Sequence, residues 1–213
     1  MESNEMFRIL WQKLVGLSPL MLQGLLETLY MVLFSTLVAY VLGLPMGLLL
    51  VVTDKDGIRP NAAVNRIFGG IVNILRSVPF LILLVTVIPV TRAIVGTTIG
   101  STATVVPLVI SSAPFIARVV ESSIKEVDRG VIEASLSMGA SPWDVVWKVM
   151  IPEAMPSLIN GAAIATTTIL GYSAMAGFVG GGGLGTIATN YGYYRRQTDI
   201  MLVMVVILIV IVQ

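Results

Sequence analysis

The sequence has 213 residues, 56% of them hydrophobic and 12% charged, with a formal net charge of +1. A soluble domain of this length needs a far more polar surface, so the chain is expected to live in a bilayer. The near-zero charge argues against nucleic-acid or acidic partners, and the absence of Cys and His removes disulfides, thiol chemistry and the commonest metal ligand and general base.

The first residues carry Glu2, Glu5, Arg8 and Lys13, which is not the basic start and short apolar core of a cleavable signal peptide. Residues 1–20 read as an amphipathic opening segment. Between Lys13 and Asp54 the only charge is Glu27, which places a first membrane span over about 22–52 and Glu27 near its interface. Asp54, Lys55, Asp56, Gly57, Pro60 and Asn61 then punctuate the chain. A second apolar run covers about 64–90 and is interrupted by Arg76. A charge inside a span costs ~2.5–3.5 kcal/mol on insertion scales. Arg76 therefore either faces a pathway or snorkels at the cytoplasmic edge.

No charge lies between Arg92 and Arg118, and the third span is placed over 93–118. The fourth, 152–178, ends in the glycine-rich stretch Gly171 to Gly185. A fifth run over 199–213 is short for a bilayer, so the natural chain is expected to continue past Gln213 or the helix to borrow residues upstream. Pro79, Pro89, Pro107 and Pro114 should kink or end their helices. The fold class is therefore all-α, a single polytopic membrane domain of five spans.

Between the third and fourth spans lies the most polar interlude, residues 128–151. Asp128 is placed to cap a helix over 131–138, and Gly139 stands where a left-handed C-terminal cap is wanted. Ser141 caps a second helix with Pro142 at its first position and Asp144 at its third, close to a capping box. Pro152 is expected to stop that helix. With this hairpin inside, the inner segments hold Lys55, Arg59, Arg66, Arg76, Arg118, Lys125, Arg129 and Lys148, and the outer ones Arg8, Lys13, Arg92, Arg195 and Arg196. Eight basic residues against five favour a cytoplasmic hairpin, an outside N-terminus and a cytoplasmic C-terminus.

The hairpin resembles the cytoplasmic loop of ABC-importer permease subunits, which reads E-A-A, three residues, G, nine residues, I-x-L-P. Here the pattern stands as Glu133, Ala134, Ser135, Gly139, Val149, Ile151 and Pro152, with Ser in place of the second Ala. With NILRSVPFLILL, SSAPFIARVVE and GYSAMAGFVGGGGLG, the chain looks most like the methionine ABC transporter permease family over nearly its whole length. The resemblance implies a type I ABC importer fold and a homodimer with its pathway on the two-fold axis. It further implies two ATPase subunits that bind ATP and Mg, and an extracytoplasmic substrate-binding protein. Glu133 to Gly139 would be the coupling helix, docked in a groove of the ATPase, in a multi-pass protein of a bacterial inner membrane.

No G-x-x-x-x-G-K-[ST] occurs, so ATP energy has to come from a partner and the glycines read as a close-packed helix end and flexible outer loop. By family analogy Tyr172, Ser173 and Met175 are pathway candidates beside Arg76, although three such positions do not share one helix face. The competing classes are a permease for another small solute, an ion-coupled secondary transporter, an intramembrane enzyme and a scaffold. A secondary transporter tends to carry intramembrane carboxylates and internal repeats, and apart from Glu27 neither is evident. An enzyme lacks its usual bases and metal ligands here.

Overall fold

The computed structural model describes residues 2–213, with side chains from residue 16 onward. The opening helix α1 runs Glu2–Val52, and the amphipathic character expected of residues 1–20 falls largely on side chains outside those described. In chain order come α2 (Ala62–Ser77), α3 (Phe80–Thr86), α4 (Ile88–Val95), α5 (Ser101–Lys125) and α6 (Arg129–Ser137). They are followed by α7 (Pro142–Val145), α8 (Ile151–Glu153), α9 (Met155–Ala176), α10 (Gly183–Ile187) and α11 (Thr198–Val212).

Among the described residues, Gly16–Val52, Ser101–Lys125 and Met155–Val179 are long and apolar enough to cross a membrane. The pair α2 and α3 also qualifies if its 102° bend lies within one span. The fifteen residues of α11 rise about 22 Å against a hydrocarbon core of about 30 Å.

One expectation holds, the break at Pro79, and two need correction. The run over 64–90 is not one helix: α2 stops at Val78, held extended (φ −81°, ψ 123°) by the steric demand of Pro79, and the chain turns there. The run over 93–118 is also split: its first residues end α4 at Val95, Gly96 and Gly100 take positive φ of 82° and 97°, and helix resumes at Ser101 and continues to Lys125. Pro107 and Pro114 lie inside α5 without ending it. Finally, Pro152 does not stop the second hairpin helix. The backbone widens into a π turn over Val146–Met150, where the Ile151 N–H bonds the Val146 carbonyl, and helix resumes through Pro152. A π turn relieves the crowding of a proline ring against the carbonyl four residues back.

The chain divides into two compact units. One comprises Thr36–Leu83 and Val109–Thr168. Its core joins Ala39, Leu48 and Val51 of α1 to Ala113, Ile116, Val120 and Ile124 of α5, with Val145, Val146, Met150 and Leu158. Gly43 and Gly47 let the two helices touch: a Cβ on Gly43 would lie 2.8 Å from the Ala113 carbonyl oxygen, and one on Gly47 2.6 Å from that of Ala117. Both numbers advance by four together, so α1 and α5 run parallel here. In lipid such contacts stabilise by packing rather than by water exclusion.

The other unit comprises Met1–Ser35, Leu84–Leu108 and Ile169–Gln213. Leu184, Ile187, Ile200 and Met204 form its buried cluster, with Leu17, Met21 and Leu25 against it. The glycine stretch was expected to be partly loose. Instead Gly183 and Leu184 donate backbone N–H groups to Glu27 Oε2 (2.7 Å) and Thr28 Oγ1 (2.9 Å). Thr104 Oγ1 donates to the Gly181 carbonyl, and the Gly100 N–H to that of Gly180, both at 3.0 Å. The close-packed half of the expectation is visible at Gly177, where a Cβ would lie 2.3 Å from the Gly185 carbonyl carbon.

Candidate functional site: a capped hairpin between α5 and α9

The hairpin follows the capping chemistry of its sequence. Asp128 Oδ1 accepts from the Gly130 N–H at 2.6 Å and opens α6 two residues earlier than expected. At the other end Gly139 takes φ 85°. Its N–H bonds the Leu136 carbonyl at 3.0 Å, and the Ala140 N–H bonds that of Ser135 at 3.1 Å. These two bonds are the Schellman pattern, with Gly139 in the left-handed position. Ser141 then caps α7: its Oγ accepts from the Asp144 N–H at 3.2 Å, and its hydroxyl donates back to the Asp144 carboxylate. Asp144 also pairs with Lys148 at 2.6 Å. The hydrogen bond from Lys148, then that from Ser141, holds the Asp144 carboxyl below the usual aspartate range.

The two sides of α6 differ. Ser135 is buried, and its hydroxyl donates to the Val131 carbonyl at 2.8 Å, so a serine sits inward without an unpaired polar group. Ile132 packs on the adjoining core. Glu133 and Ala134 are exposed, beside the exposed apolar side chains of Val131 and Leu136. Met138 is 81% exposed and Trp143 71%, and Trp143 stacks edge-on with Trp147 at 5.6 Å between ring centroids. Such a cluster of apolar and aromatic side chains with a carboxylate among them is suited to a protein partner. Glu133, Ala134, Ser135 and Gly139 thus share one short helix and its cap, while Pro152 lies beyond the π turn in α8.

The pathway candidates are not gathered in the same way. Ser173 is buried and donates to the Leu170 carbonyl at 2.8 Å, Tyr172 is half-buried, and Met175 is exposed on another face of α9. Arg76 is exposed in the last turn of α2, where a cation complements the helix dipole.

Sequence reasoning passed over a line of charges at the entrance to the hairpin. Lys125 Nζ lies 2.6 Å from Asp54 and 2.9 Å from Glu121. Glu121 also takes the Arg118 guanidinium, whose other arm reaches the Gly69 carbonyl (3.1 Å) and Asn73 Oδ1 (2.8 Å). Arg129 of α6 lies 3.3 Å from Asp56. The hydrogen bond from Lys125 is the main cause that holds the Asp54 carboxyl below its usual value. A cleft of about 500 Å³ opens beside this line, bordered by Asp54, Asp56, Lys125, Ile132 and Glu133. The spacing of Arg118, Glu121 and Lys125, three and then four residues apart with alternating sign, was a usable signal. The partners on the α1–α2 loop and on α2 had none.

The family model for the binding-protein-dependent transport system inner membrane component matches residues 39–212. The probable D-methionine transport system permease protein MetI of Vibrio cholerae is 51% identical over 196 residues, 92% of this chain and 87% of that protein. The D-methionine transport system permease protein MetI of Escherichia coli K12 is 52% identical over 158 residues, 74% of this chain and 73% of that protein. A solved structure of the MetNI methionine ABC transporter in an inward-facing conformation superposes with a TM-score of 0.91 at 49% identity, covering 92% of this chain and 91% of that one. With the capped hairpin, the apolar helices and a match over most of its length, this chain belongs to the family of binding-protein-dependent transport system inner membrane components.

Proposed function

We propose that the chain is the permease subunit of an ATP-driven importer for methionine, acting as a homodimer with its pathway at the two-fold axis. Two ATPase subunits bind ATP and Mg and grip the two hairpins. An extracytoplasmic binding protein delivers the cargo. The hairpin is cytoplasmic, the N-terminus lies outside and the C-terminus inside. The parallel course of α1 and α5 supports this, because it puts the C-terminal end of α1 on the same side as the hairpin.

The observation that carries the reading is the α6 lever itself: a nine-residue helix closed by a left-handed glycine and presenting Glu133 beside exposed Val131, Leu136 and Met138. An amphipathic helix of this kind seats in a groove of a partner. Closure of the ATPases on ATP displaces the lever, and the spans pass between inward-open and outward-open states. Ala134 allows close approach, Glu133 bonds a donor on the ATPase, and Gly139 aims the helix. Tyr172, Ser173, Met175 and Arg76 are the pathway residues to probe first.

Co-expression with the cognate ATPase and purification in detergent tests the assembly. A complex with equal numbers of the two chains is expected, and it should dissociate more readily when Glu133 is replaced by Ala. A chain that purifies without any Walker-containing partner would contradict the reading.

A further inference from the structure

We infer that Glu121 is a positioning residue for coupling: by holding Arg118 and Lys125 together it ties α2, the α1–α2 loop and α5 into one body at the root of the lever. The inference rests on the reading of the chain as an ATP-coupled permease.

Glu121 is buried at 8% exposure, the most enclosed carboxylate among the described residues. Its two oxygens serve different cations: Oε2 takes Arg118 and Oε1 takes Lys125. Each cation also reaches a different element. Arg118 reaches α2 through the Gly69 carbonyl and Asn73, and Lys125 reaches the α1–α2 loop through Asp54. The line alternates sign along its length, Asp54, Lys125, Glu121, Arg118, so each charge has a neutralising neighbour. Lys125 closes α5, and Arg129, four residues on, opens α6 and pairs with Asp56 of the same loop.

A displacement of α6 is therefore delivered to α5 through the short link 126–128 and to the α1–α2 loop through Arg129. Glu121 makes those two routes arrive together, and passes the displacement on to α2. Without it Arg118 and Lys125 lose the anion that orients them, their own bonds to Gly69, Asn73 and Asp54 loosen, and lever motion is dissipated. The Glu121 carboxylate is buried and the Arg118 guanidinium half-buried, so removing the anion leaves Arg118 short of a partner in a place water reaches poorly.

The test uses the full complex with its ATPase in proteoliposomes, with the binding protein and methionine supplied on the outer face, and compares Glu121→Gln and Glu121→Asp with the parent. Two quantities are read, methionine taken up per ATP hydrolysed and the distance between spin labels on Lys55→Cys and Ser122→Cys. The chain has no cysteine of its own, so within it only the introduced sites are labelled, and it is labelled before assembly with the ATPase. In Glu121→Gln, ATP hydrolysis should continue while uptake per ATP falls about tenfold, a coupling change of ordinary size. Glu121→Asp, which keeps the charge, should recover most of the loss. The label distance should be the same without nucleotide and with ATP in the parent, and should broaden in Glu121→Gln. A purely structural role would lower the amount of folded complex and leave uptake per ATP unchanged. Unchanged uptake per ATP, or an unchanged label distance in Glu121→Gln, overturns the inference. A parent complex without ATP-driven uptake would sink the proposed function instead, and the label distances would still decide whether Glu121 holds the α1–α2 loop against α5.

Discussion

The Glu27 carboxylate accepts a hydrogen bond from the Gly183 backbone N–H at 2.7 Å, across 156 residues of sequence. Gly183 takes φ 71°, and a Cβ there would fall 2.6 Å from Thr28 Oγ1 and 2.7 Å from Met31 Cε. Position 183 therefore excludes side chains twice, by conformation and by space. Gly183→Ala should lower stability by ~1–3 kcal/mol from backbone strain and collision, seen as a lower unfolding temperature in detergent. Glu27→Ala should weaken the same region by ~1.5–3 kcal/mol through loss of a charge-assisted bond. Because both changes act on one contact, the double variant should lose less than the two single losses added.

Gly139 offers a cleaner case, because nothing lies within 4 Å of where its Cβ would be and only its φ of 85° matters. Gly139→Val should abolish ATP-driven uptake while the protein still inserts, since a β-branched residue is poorly tolerated there. Gly139→Asn should retain a substantial fraction of uptake, because asparagine also occupies this cap position. Uptake assays on the two variants, normalised to protein in the membrane, distinguish them; equal uptake by both would contradict the hinge.

Ser135→Ala should be nearly silent. The hydroxyl bonds only the Val131 carbonyl of its own helix, an interaction of little net value. Unfolding temperature and uptake should match the parent, and a stability loss of more than ~1 kcal/mol would mean the hydroxyl has a further role.

Asp54 makes stability depend on acid. Its pKa is lowered from 3.8, chiefly by the hydrogen bond from Lys125. The folded carboxyl thus ionises more readily than the unfolded one. The stabilisation is fully present above the ordinary value and disappears as pH falls through the depressed one. Asp54→Asn should be less stable than the parent at pH 7, and the gap should close below about pH 4. Thermal unfolding in detergent across this range reads the effect, and a gap that does not change with pH would remove the ion pair from the account.

What the sequence made legible was whatever depends on near neighbours. Asp128, Gly139 and Ser141 cap their helices through bonds spanning two to five residues, so residue type and spacing sufficed. Pro79 ended α2 because the residue before a proline resists helix by itself. Pro152 escaped such reasoning because the π turn over 146–150 absorbs it, and such a turn has no sequence signature as plain as a cap. Gly96 and Gly100 delayed the start of α5 although no charge marked the place. The tie of Glu27 to the glycine stretch and that of Arg118 to Gly69 and Asn73 depend on where distant elements meet. Alternation of charge along α5 hinted at the second tie, and nothing hinted at the first.

The source of energy for solute movement separates the two transport mechanisms. Purified complex in proteoliposomes, with the binding protein outside, ATP inside or absent and an ion gradient present or absent, reads this in one assay. Methionine should accumulate only when ATP is supplied on the side of the hairpin, with the ion gradient making no difference. Accumulation that follows the gradient and ignores ATP would contradict an ATPase-driven lever at Glu133 to Gly139.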